Sequence, residues 1–408
     1  MDSIAAPTVP GWASPPPRRR PIPALTGLRF LAALHVIIYH EAPDHIRNPP
    51  RLIGNFLNTG HIAVGLFFVL SGFILVYNYA PGVDKRASST HDFLVARFAR
   101  IYPVYLLGVF LALPRFWQVI GAQLPLKESL ARVGSVTGAS LLLIQSWFPS
   151  MAYELNGPGW SLSAEAFFYV TFPLTLLIVM STFVRKHWIG FTAVLWASSL
   201  AIVAAVYAWA PSGHTWLHID QPTTWLVLVY APLFRLPEFI IGMVMGAAFL
   251  QNDVRWSSHA TTFSQIGAIA IASLIGLLTL SPYLPDIPLH TSLLTPLFGI
   301  IIVCLAVGNG YATKVLSRPI MVLLGEASYS MYILHRPLHT WLRGIDIATG
   351  MELHSSRAWL PVYLLFVCSV SVLVLRYIEE PARVYVRRRF SRSAASIVAP
   401  AKALVDAS

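Results

Sequence analysis

Ten runs of roughly 20 mostly apolar residues restrict the fold of this chain more than any other feature. They lie at about 25–43, 60–80, 101–119, 162–184, 189–210, 224–250, 263–281, 292–309, 320–342 and 358–379. A run of this length crosses the hydrocarbon core of a bilayer as an α-helix, which satisfies its own backbone hydrogen bonds. The sequence therefore predicts an all-α integral membrane protein with about ten transmembrane helices.

The composition agrees with this prediction. Of the 408 residues, 56% are apolar and 12% are charged, whereas soluble domains are about 25% charged. A soluble globular protein is therefore excluded. The formal net charge is +11, which in a membrane protein indicates basic cytoplasmic loops rather than binding of nucleic acid. Cys304 and Cys368 both lie in apolar runs, so neither a disulfide framework nor a thiolate metal cluster is expected.

The distribution of basic residues predicts the topology. With ten spans and a cytoplasmic N-terminus, 18 of the 29 Lys and Arg residues lie on the cytoplasmic side and 7 on the other, as the positive-inside rule requires. A short apolar segment at 135–148 would reverse this bias as an eleventh span, so we expect it to be re-entrant or interfacial. Residues 1–24, with seven prolines, are predicted to be a disordered cytoplasmic tail. A membrane domain at 25–380 and a basic cytoplasmic tail at 381–408 complete the predicted organisation.

Arg29 and His40 are ionisable residues inside the first apolar run. Eleven residues separate them, so on an α-helix they project from one face about 16 Å apart. A charge at mid-bilayer costs about 2.5–3.5 kcal/mol, which makes such residues functional candidates. His35 faces elsewhere and is expected to be structural. For His40, helix geometry leaves open a role in a site, in packing, or at the outer interface.

Two further groups of charges lie near predicted helix entries. Arg97 and Arg100 are three residues apart, and two guanidinium groups on one face suit phosphates; they would equally suit a positive-inside anchor. Glu165 follows a Gly-Pro-Gly turn. It is a candidate either for the first turn of the fourth span, where the helix dipole favours a carboxylate, or for catalysis.

Two more spans contain paired polar residues. Arg235 and Glu238 are three residues apart and are expected to form an ion pair that also shapes a polar cavity. His335 and His339 have the spacing of metal-binding histidines, but they lack the adjacent Glu and have Pro337 between them, so we expect no metal site. The sequence also contains no Walker loop, dinucleotide fingerprint or GxSxG motif, which disfavours ATP-driven transport and serine hydrolase chemistry.

Taken in order, these motifs resemble the acyltransferase 3 family of bacterial integral-membrane O-acyltransferases. The R-x10-H motif is met by Arg29 and His40, and the RxxR motif by Arg97 and Arg100. The other matching segments include GHIAVGLFFVLSGFIL, GPGWSLSAEAFFY, RLPEFIIGM, LGEASYSMYILHRPL and IEEPAR. The resemblance extends from about residue 25 to 383. Family members often carry an additional extracytoplasmic domain, and the sequence after residue 383 predicts a stand-alone form.

The resemblance implies transfer of an acyl group from a coenzyme A thioester to a hydroxyl group. His40 would be the general base or the site of an acetyl-histidine intermediate, Arg29 would bind the donor or pair with a carboxylate, and Glu165 would orient His40 or pair with an arginine. Arg97 and Arg100 would bind the donor phosphates. The residues expected to line or support the cavity are Arg235, Glu238, His335, Trp160 and Tyr329.

The predicted partners follow from this activity. Acetyl-CoA, or another acyl-CoA, is the expected co-substrate, with no permanently bound cofactor and no metal. The other partners are the lipid bilayer of a bacterial cytoplasmic membrane and a carbohydrate acceptor, such as an exopolysaccharide or O-antigen unit on a lipid carrier. Alternatives are a small-molecule acceptor such as a macrolide and, from another class, a multi-pass transporter that uses the same buried charges.

Overall fold

The computed structural model describes residues 19–46, 48–80, 89–209, 223–356 and 358–391. Within these residues the chain forms seventeen α-helices and short helical turns, with no β-strand. The α-helices are α1 (Pro23–His45), α2 (Arg51–Leu57), α3 (Ala63–Tyr79), α4 (Thr90–Gln123), α5 (Leu126–Leu141), α6 (Trp160–Val179), α7 (Thr182–Lys186), α8 (Trp188–Trp209), α9 (Thr223–Tyr230), α10 (Pro232–Ser257), α11 (Ala260–Thr279), α12 (Asp286–His290), α13 (Thr295–Val307), α14 (Tyr311–Leu316), α15 (Pro319–Thr349), α16 (Trp359–Val374) and α17 (Glu380–Phe390). The predicted all-α fold class is confirmed.

The helices of membrane-spanning length coincide with the predicted runs. Nine helical segments of the described chain are long and apolar enough to cross a membrane. The tenth predicted span lies in α15, which has 31 residues but is more polar because it includes Glu326, Arg336, Arg343 and Asp346. The segment 135–148 falls on the end of α5 and the following turn and is not among the spanning candidates. The architecture thus agrees with about ten transmembrane helices.

Local sequence explains several helix starts. Pro23, Pro232 and Pro319 occupy the first positions of α1, α10 and α15, where a missing backbone N–H removes no intrahelical hydrogen bond. Ser89 caps α4, since its hydroxyl accepts a hydrogen bond from the backbone N–H of Asp92 at 3.2 Å. These signals fix where the long helices enter the bundle.

The two predicted tails are described only in part. Residues 1–18 and 392–408 lie outside the described residues. The parts nearest the membrane domain are helical. α1 begins at Pro23, and α17 follows one wide π-helical turn at Leu375–Glu379 and continues to Phe390. The Ser391 hydroxyl donates a hydrogen bond to the Asp92 carboxylate at 2.9 Å, so the end of α17 lies beside the start of α4.

Two glycines allow α3 and α10 to pack with their backbones in contact. A Cβ atom on Gly72 would lie 2.1 Å from the carbonyl oxygen of Phe239, and one on Gly242 would lie 2.0 Å from that of Val69. Small residues at a helix interface permit this close approach within a membrane. We call this pair of contacts the glycine seam, and it fixes α10 against α3.

A second close contact joins α1 to α15. A Cβ atom on Gly325 would lie 2.0 Å from the carbonyl oxygen of Thr26. Further along the same two helices, the rings of His40 and His335 have centroids 5.0 Å apart. The two helices therefore run side by side over the depth that separates Arg29 from His40.

Candidate active site

Seven of the ten predicted site residues line two neighbouring cavities, and Arg97, Glu238 and His335 line neither. The histidine cavity has a volume of about 90 Å³, and its lining includes His40, His61, Tyr153, Trp160, Trp225, Tyr230, Arg235 and His290. The arginine cavity has a volume of about 80 Å³, and its lining includes Arg29, Ser71, Arg100, Glu165, Ser328 and Tyr329. Val64 and Tyr332 line both cavities, so these two side chains lie at the boundary between them.

The hydrogen bonds of His40 define its tautomer. Its Nδ1 lies 2.9 Å from the Val36 carbonyl oxygen, and because a carbonyl can only accept, Nδ1 carries the hydrogen. In the neutral ring, Nε2 therefore keeps its lone pair. This Nε2 lies 3.1 Å from the Tyr153 hydroxyl, which can donate to it. The arrangement leaves a basic nitrogen on the side of His40 where Tyr153 lines the cavity.

His335 supports this arrangement from α15. Its Nδ1 lies 2.7 Å from the Tyr332 carbonyl oxygen, so its Nε2 is an acceptor, and that atom lies 3.2 Å from Nδ1 of His40. The Tyr363 hydroxyl donates to the His335 carbonyl oxygen at 2.5 Å. His335 is fully buried and is thus placed to hold the orientation and tautomer of His40, as groups behind a reactive histidine do.

Glu165 lies with the arginines rather than with His40. Its Oε1 accepts hydrogen bonds from the hydroxyls of Ser71, at 3.1 Å, and Tyr169. No hydrogen bond joins it to His40 in the described part of the chain. Because α6 begins at Trp160, Glu165 also lies beyond the first helical turn, which argues against a capping role. Glu165 thus shares the arginine cavity with Arg29 and Arg100, but no ion pair joins it to either arginine among the described residues.

The two arginines of the RxxR motif have different surroundings. Arg100 lines the arginine cavity, but Arg97 is not part of its lining. Arg97 instead donates a hydrogen bond to the Tyr79 hydroxyl at 3.0 Å, and its guanidinium carbon lies 5.3 Å from the Tyr79 ring centroid. An aromatic ring holds the Arg97 cation in place, which leaves Arg100 to face the cavity.

Arg235 and Glu238 form the predicted ion pair, with Nη2 and Oε2 3.1 Å apart. Both side chains are almost fully buried, at 1% and 0% exposure. Arg235 also donates a hydrogen bond to the His290 carbonyl oxygen, and its guanidinium carbon lies 5.7 Å from the Trp160 ring centroid. The pair therefore contributes a matched charge, and not a free one, to the wall of the histidine cavity.

Several residues of the histidine cavity carry no clear signal in the sequence. His61 lies at the edge of a predicted run and His290 just before one, so neither stands out as an ionisable residue within a span. Tyr153 lies between α5 and α6, where no periodicity indicates which way a side chain points. By contrast, His35 was correctly predicted to be structural: its Nε2 lies 2.9 Å from the Phe56 carbonyl oxygen, and its ring stacks on Phe56.

A multi-pass helical bundle with an oriented histidine beside an arginine-lined cavity has the groups that a membrane enzyme of group transfer needs. Comparison with protein families agrees with this class. The acyltransferase 3 family profile, described as an acyltransferase domain, matches residues 22–376. The chain belongs to this family and is an O-acyltransferase.

Individual relatives are similar over most of the chain. "Acyltransferase MdmB" of Streptomyces mycarofaciens is 30% identical over 84% of this chain and 85% of its own length. "Putative peptidoglycan O-acetyltransferase YrhL" of Bacillus subtilis is 27% identical over 91% of this chain. "Putative O-acetyltransferase SACOL0978" of Staphylococcus aureus is 23% identical over 90%. The alignments cover only 56% and 58% of these last two relatives. No solved structure matches the chain significantly.

Proposed function

We propose that this protein transfers an acetyl group from acetyl-CoA to a hydroxyl of a carbohydrate acceptor, such as an exopolysaccharide or O-antigen unit. The observation that carries the proposal is the pair of cavities that meet at Tyr332, one lined by Arg29 and Arg100 and the other by His40. A relative whose printed name refers to peptidoglycan O-acetylation supports a glycan acceptor.

The donor would enter from the end of the bundle that carries the arginines. Phosphates of acetyl-CoA would pair with Arg100, since planar guanidinium groups bind phosphates through paired hydrogen bonds. Arg97 lies one helical turn away and would add positive charge at the entrance. The thioester end would extend along α1 and pass Tyr332 to reach His40.

His40 would then act as the general base. Its Nε2 takes the proton of the acceptor hydroxyl, the hydroxyl oxygen bonds to the thioester carbonyl carbon, and the C–S bond breaks. The proton held by His40 passes to the departing sulfur, so the products are the O-acetyl ester and coenzyme A. General base catalysis of this kind contributes about 10²–10⁴-fold, and His335 keeps the required tautomer of His40 in place.

In the proposed orientation, acetyl-CoA and the acceptor enter the helix bundle from opposite sides of the membrane. In the orientation that the positive-inside rule favours, both termini and the Arg97–Arg100 end would lie on the cytoplasmic side of a bacterial cytoplasmic membrane, where acetyl-CoA is available. Tyr153 lines the histidine cavity and is 39% exposed, so the acceptor would enter there, from the other side.

The test measures acetyl transfer by the solubilised protein, with glycosides and, in parallel reactions, a macrolide as acceptors. Detergent-solubilised protein is incubated with radiolabelled acetyl-CoA and a set of p-nitrophenyl glycosides, and labelled glycoside is separated from labelled acetate. We expect acceptor-dependent release of coenzyme A and labelled glycoside. Acetylation of a macrolide but of no glycoside would overturn the proposed acceptor, and labelling of neither, with no use of acetyl-CoA, would overturn the proposed donor.

A further inference from the structure

His61 carries hydrogen-bonding capacity that the protein leaves unused. Both of its ring nitrogens are buried, and neither has a hydrogen-bond partner among the described residues. The side chain lines the histidine cavity. A buried polar group without a partner destabilises the fold, so an imidazole in this state beside a cavity points to a ligand that supplies the missing hydrogen bonds.

The His61 ring is held firmly in its position. It stacks on the ring of His290, with centroids 3.8 Å apart and planes 11° apart. His290 is itself fixed, because its Nδ1 lies 3.0 Å from the Asp286 carbonyl oxygen. The same interaction assigns the hydrogen of His290 to Nδ1 and leaves its Nε2 as an acceptor.

His61 and His40 lie within reach of one small ligand. The Tyr39 ring has its centroid 4.9 Å from that of His40 and 5.3 Å from that of His61. The two imidazole centroids are therefore at most 10.2 Å apart, and both rings line one cavity. This upper limit allows a single ring with two hydroxyl groups to bridge the two imidazoles, with a hydrogen bond of about 3 Å at each end. The cavity of about 90 Å³ has to widen to admit such a ring.

The cavity wall favours a particular class of ligand. Aromatic rings form much of it: Tyr230 has its centroid 5.9 Å from Tyr153 and 5.0 Å from Trp160. Such rings pack against the C–H face of a sugar, while neutral imidazoles can donate to or accept from its hydroxyls. Arg235 is already matched by Glu238, so an ionised acceptor would bring an uncompensated charge into this wall.

We propose that His61, supported by His290, is the acceptor-binding residue for a second hydroxyl of an uncharged sugar ring whose first hydroxyl is deprotonated by His40. The inference rests on the proposed function and names the part of the acceptor that is recognised. It makes His61 a specificity residue that contacts the acceptor without taking part in the proton transfer.

The experiment uses p-nitrophenyl glucoside, its mono-deoxy analogues and p-nitrophenyl glucuronide as acceptors for the solubilised full chain. We expect His61→Phe to raise the acceptor KM about tenfold, the loss associated with one hydrogen bond to a substrate hydroxyl. The KM for acetyl-CoA should not change, because His61 does not line the arginine cavity. His61→Asn should recover part of the loss, because an amide can still donate and accept. His187→Phe, at an exposed position after α7, is the matched control.

The deoxy analogues distinguish a lost contact from a damaged fold. One of them should be a poorer acceptor than glucoside for the wild type but an equal one for His61→Phe, and the glucuronide should be poor for both. Unchanged acceptor KM in His61→Phe, or equal discrimination by both proteins, would overturn the inference while acetyl transfer itself persists. Absence of glycoside acetylation by the wild type would instead overturn the proposed function.

Discussion

The arginine cavity and the histidine cavity are almost equal in volume, at about 80 and 90 Å³, but opposite in chemistry. Arg29 and Arg100 bring fixed cations to the first, where Glu165 supplies a carboxylate. In the second, the cation of Arg235 is paired with Glu238, and the group to which we assign proton transfer is the neutral ring of His40. Under the proposed mechanism, charge recognition and proton transfer therefore occupy separate compartments of one bundle.

The boundary between the two cavities is itself hydrogen-bonded. The Tyr332 hydroxyl lies 2.9 Å from the Ser161 hydroxyl and donates to the Pro158 carbonyl oxygen at 3.2 Å. Tyr332 and Ser161 are both buried. These hydrogen bonds tie α15 to the start of α6. We call Tyr332 and its two partners the partition, and a thioester in the arginine cavity would be kept from water in the histidine cavity until Tyr332 moves.

The largest expected effect is that of replacing His40, which should impair the chemistry in the histidine cavity but not donor binding in the arginine cavity. His40→Ala should lower kcat for acetyl transfer by about 10²–10⁴-fold, the contribution of a general base. Binding of acetyl-CoA, measured by calorimetry on the solubilised protein, should be unchanged because the arginine cavity is intact. Substantial remaining kcat would remove His40 from the chemistry, and an equal loss of donor binding would contradict the division between the cavities.

Next in size is the effect of the cavity-facing arginine. Arg100→Ala should raise the KM for acetyl-CoA about 10–100-fold, since it removes a hydrogen bond between charged groups, with a smaller change in kcat. Arg97→Ala should also raise this KM, but less, because Arg97 binds Tyr79 and does not line the cavity. Initial rates at varied acetyl-CoA concentration measure both, with the exposed Arg255→Ala as a control. An unchanged KM in both variants would contradict the phosphate assignment.

The smallest expected effect concerns the partition. Tyr332→Phe removes the hydroxyl that bonds to Ser161 and Pro158, and the loss of about 1 kcal/mol in net hydrogen bonding should raise acceptor-independent hydrolysis of acetyl-CoA about fivefold. Release of free coenzyme A without acceptor measures this leak. Ser161→Ala should give part of the same increase, and the double variant should show less than the product of the two. No increase in either variant would mean that this hydrogen bond does not keep the cavities apart.

The sequence predicted the spans well because their signal is local. Length and apolar character predicted even the span in α15, despite its charges, and the eleven-residue interval predicted that Arg29 and His40 share one face of α1. Pairing of Arg235 with Glu238 was predicted for the same reason, since i and i+3 positions are neighbours on any helix.

What the sequence did not provide was the assignment of side chains to cavities. The position of Glu165 beside Ser71 depends on how α6 packs against α3, and the encounter of His40 with His335 depends on the contact of α1 with α15. His61 and Tyr153 lie at helix edges or between helices, where spacing along the chain carries no information about depth. These features depend on tertiary packing, which hydrophobic periodicity does not encode.

The glycine seam between α3 and α10 also limits how a lipid-linked substrate can arrive. Gly72 and Gly242 bring the two backbones into contact, so a lipid carrier cannot pass between α3 and α10 at the depth of these glycines. A carrier-bound acceptor would have to approach the histidine cavity along another face, and only its sugar end would need to pass Tyr153.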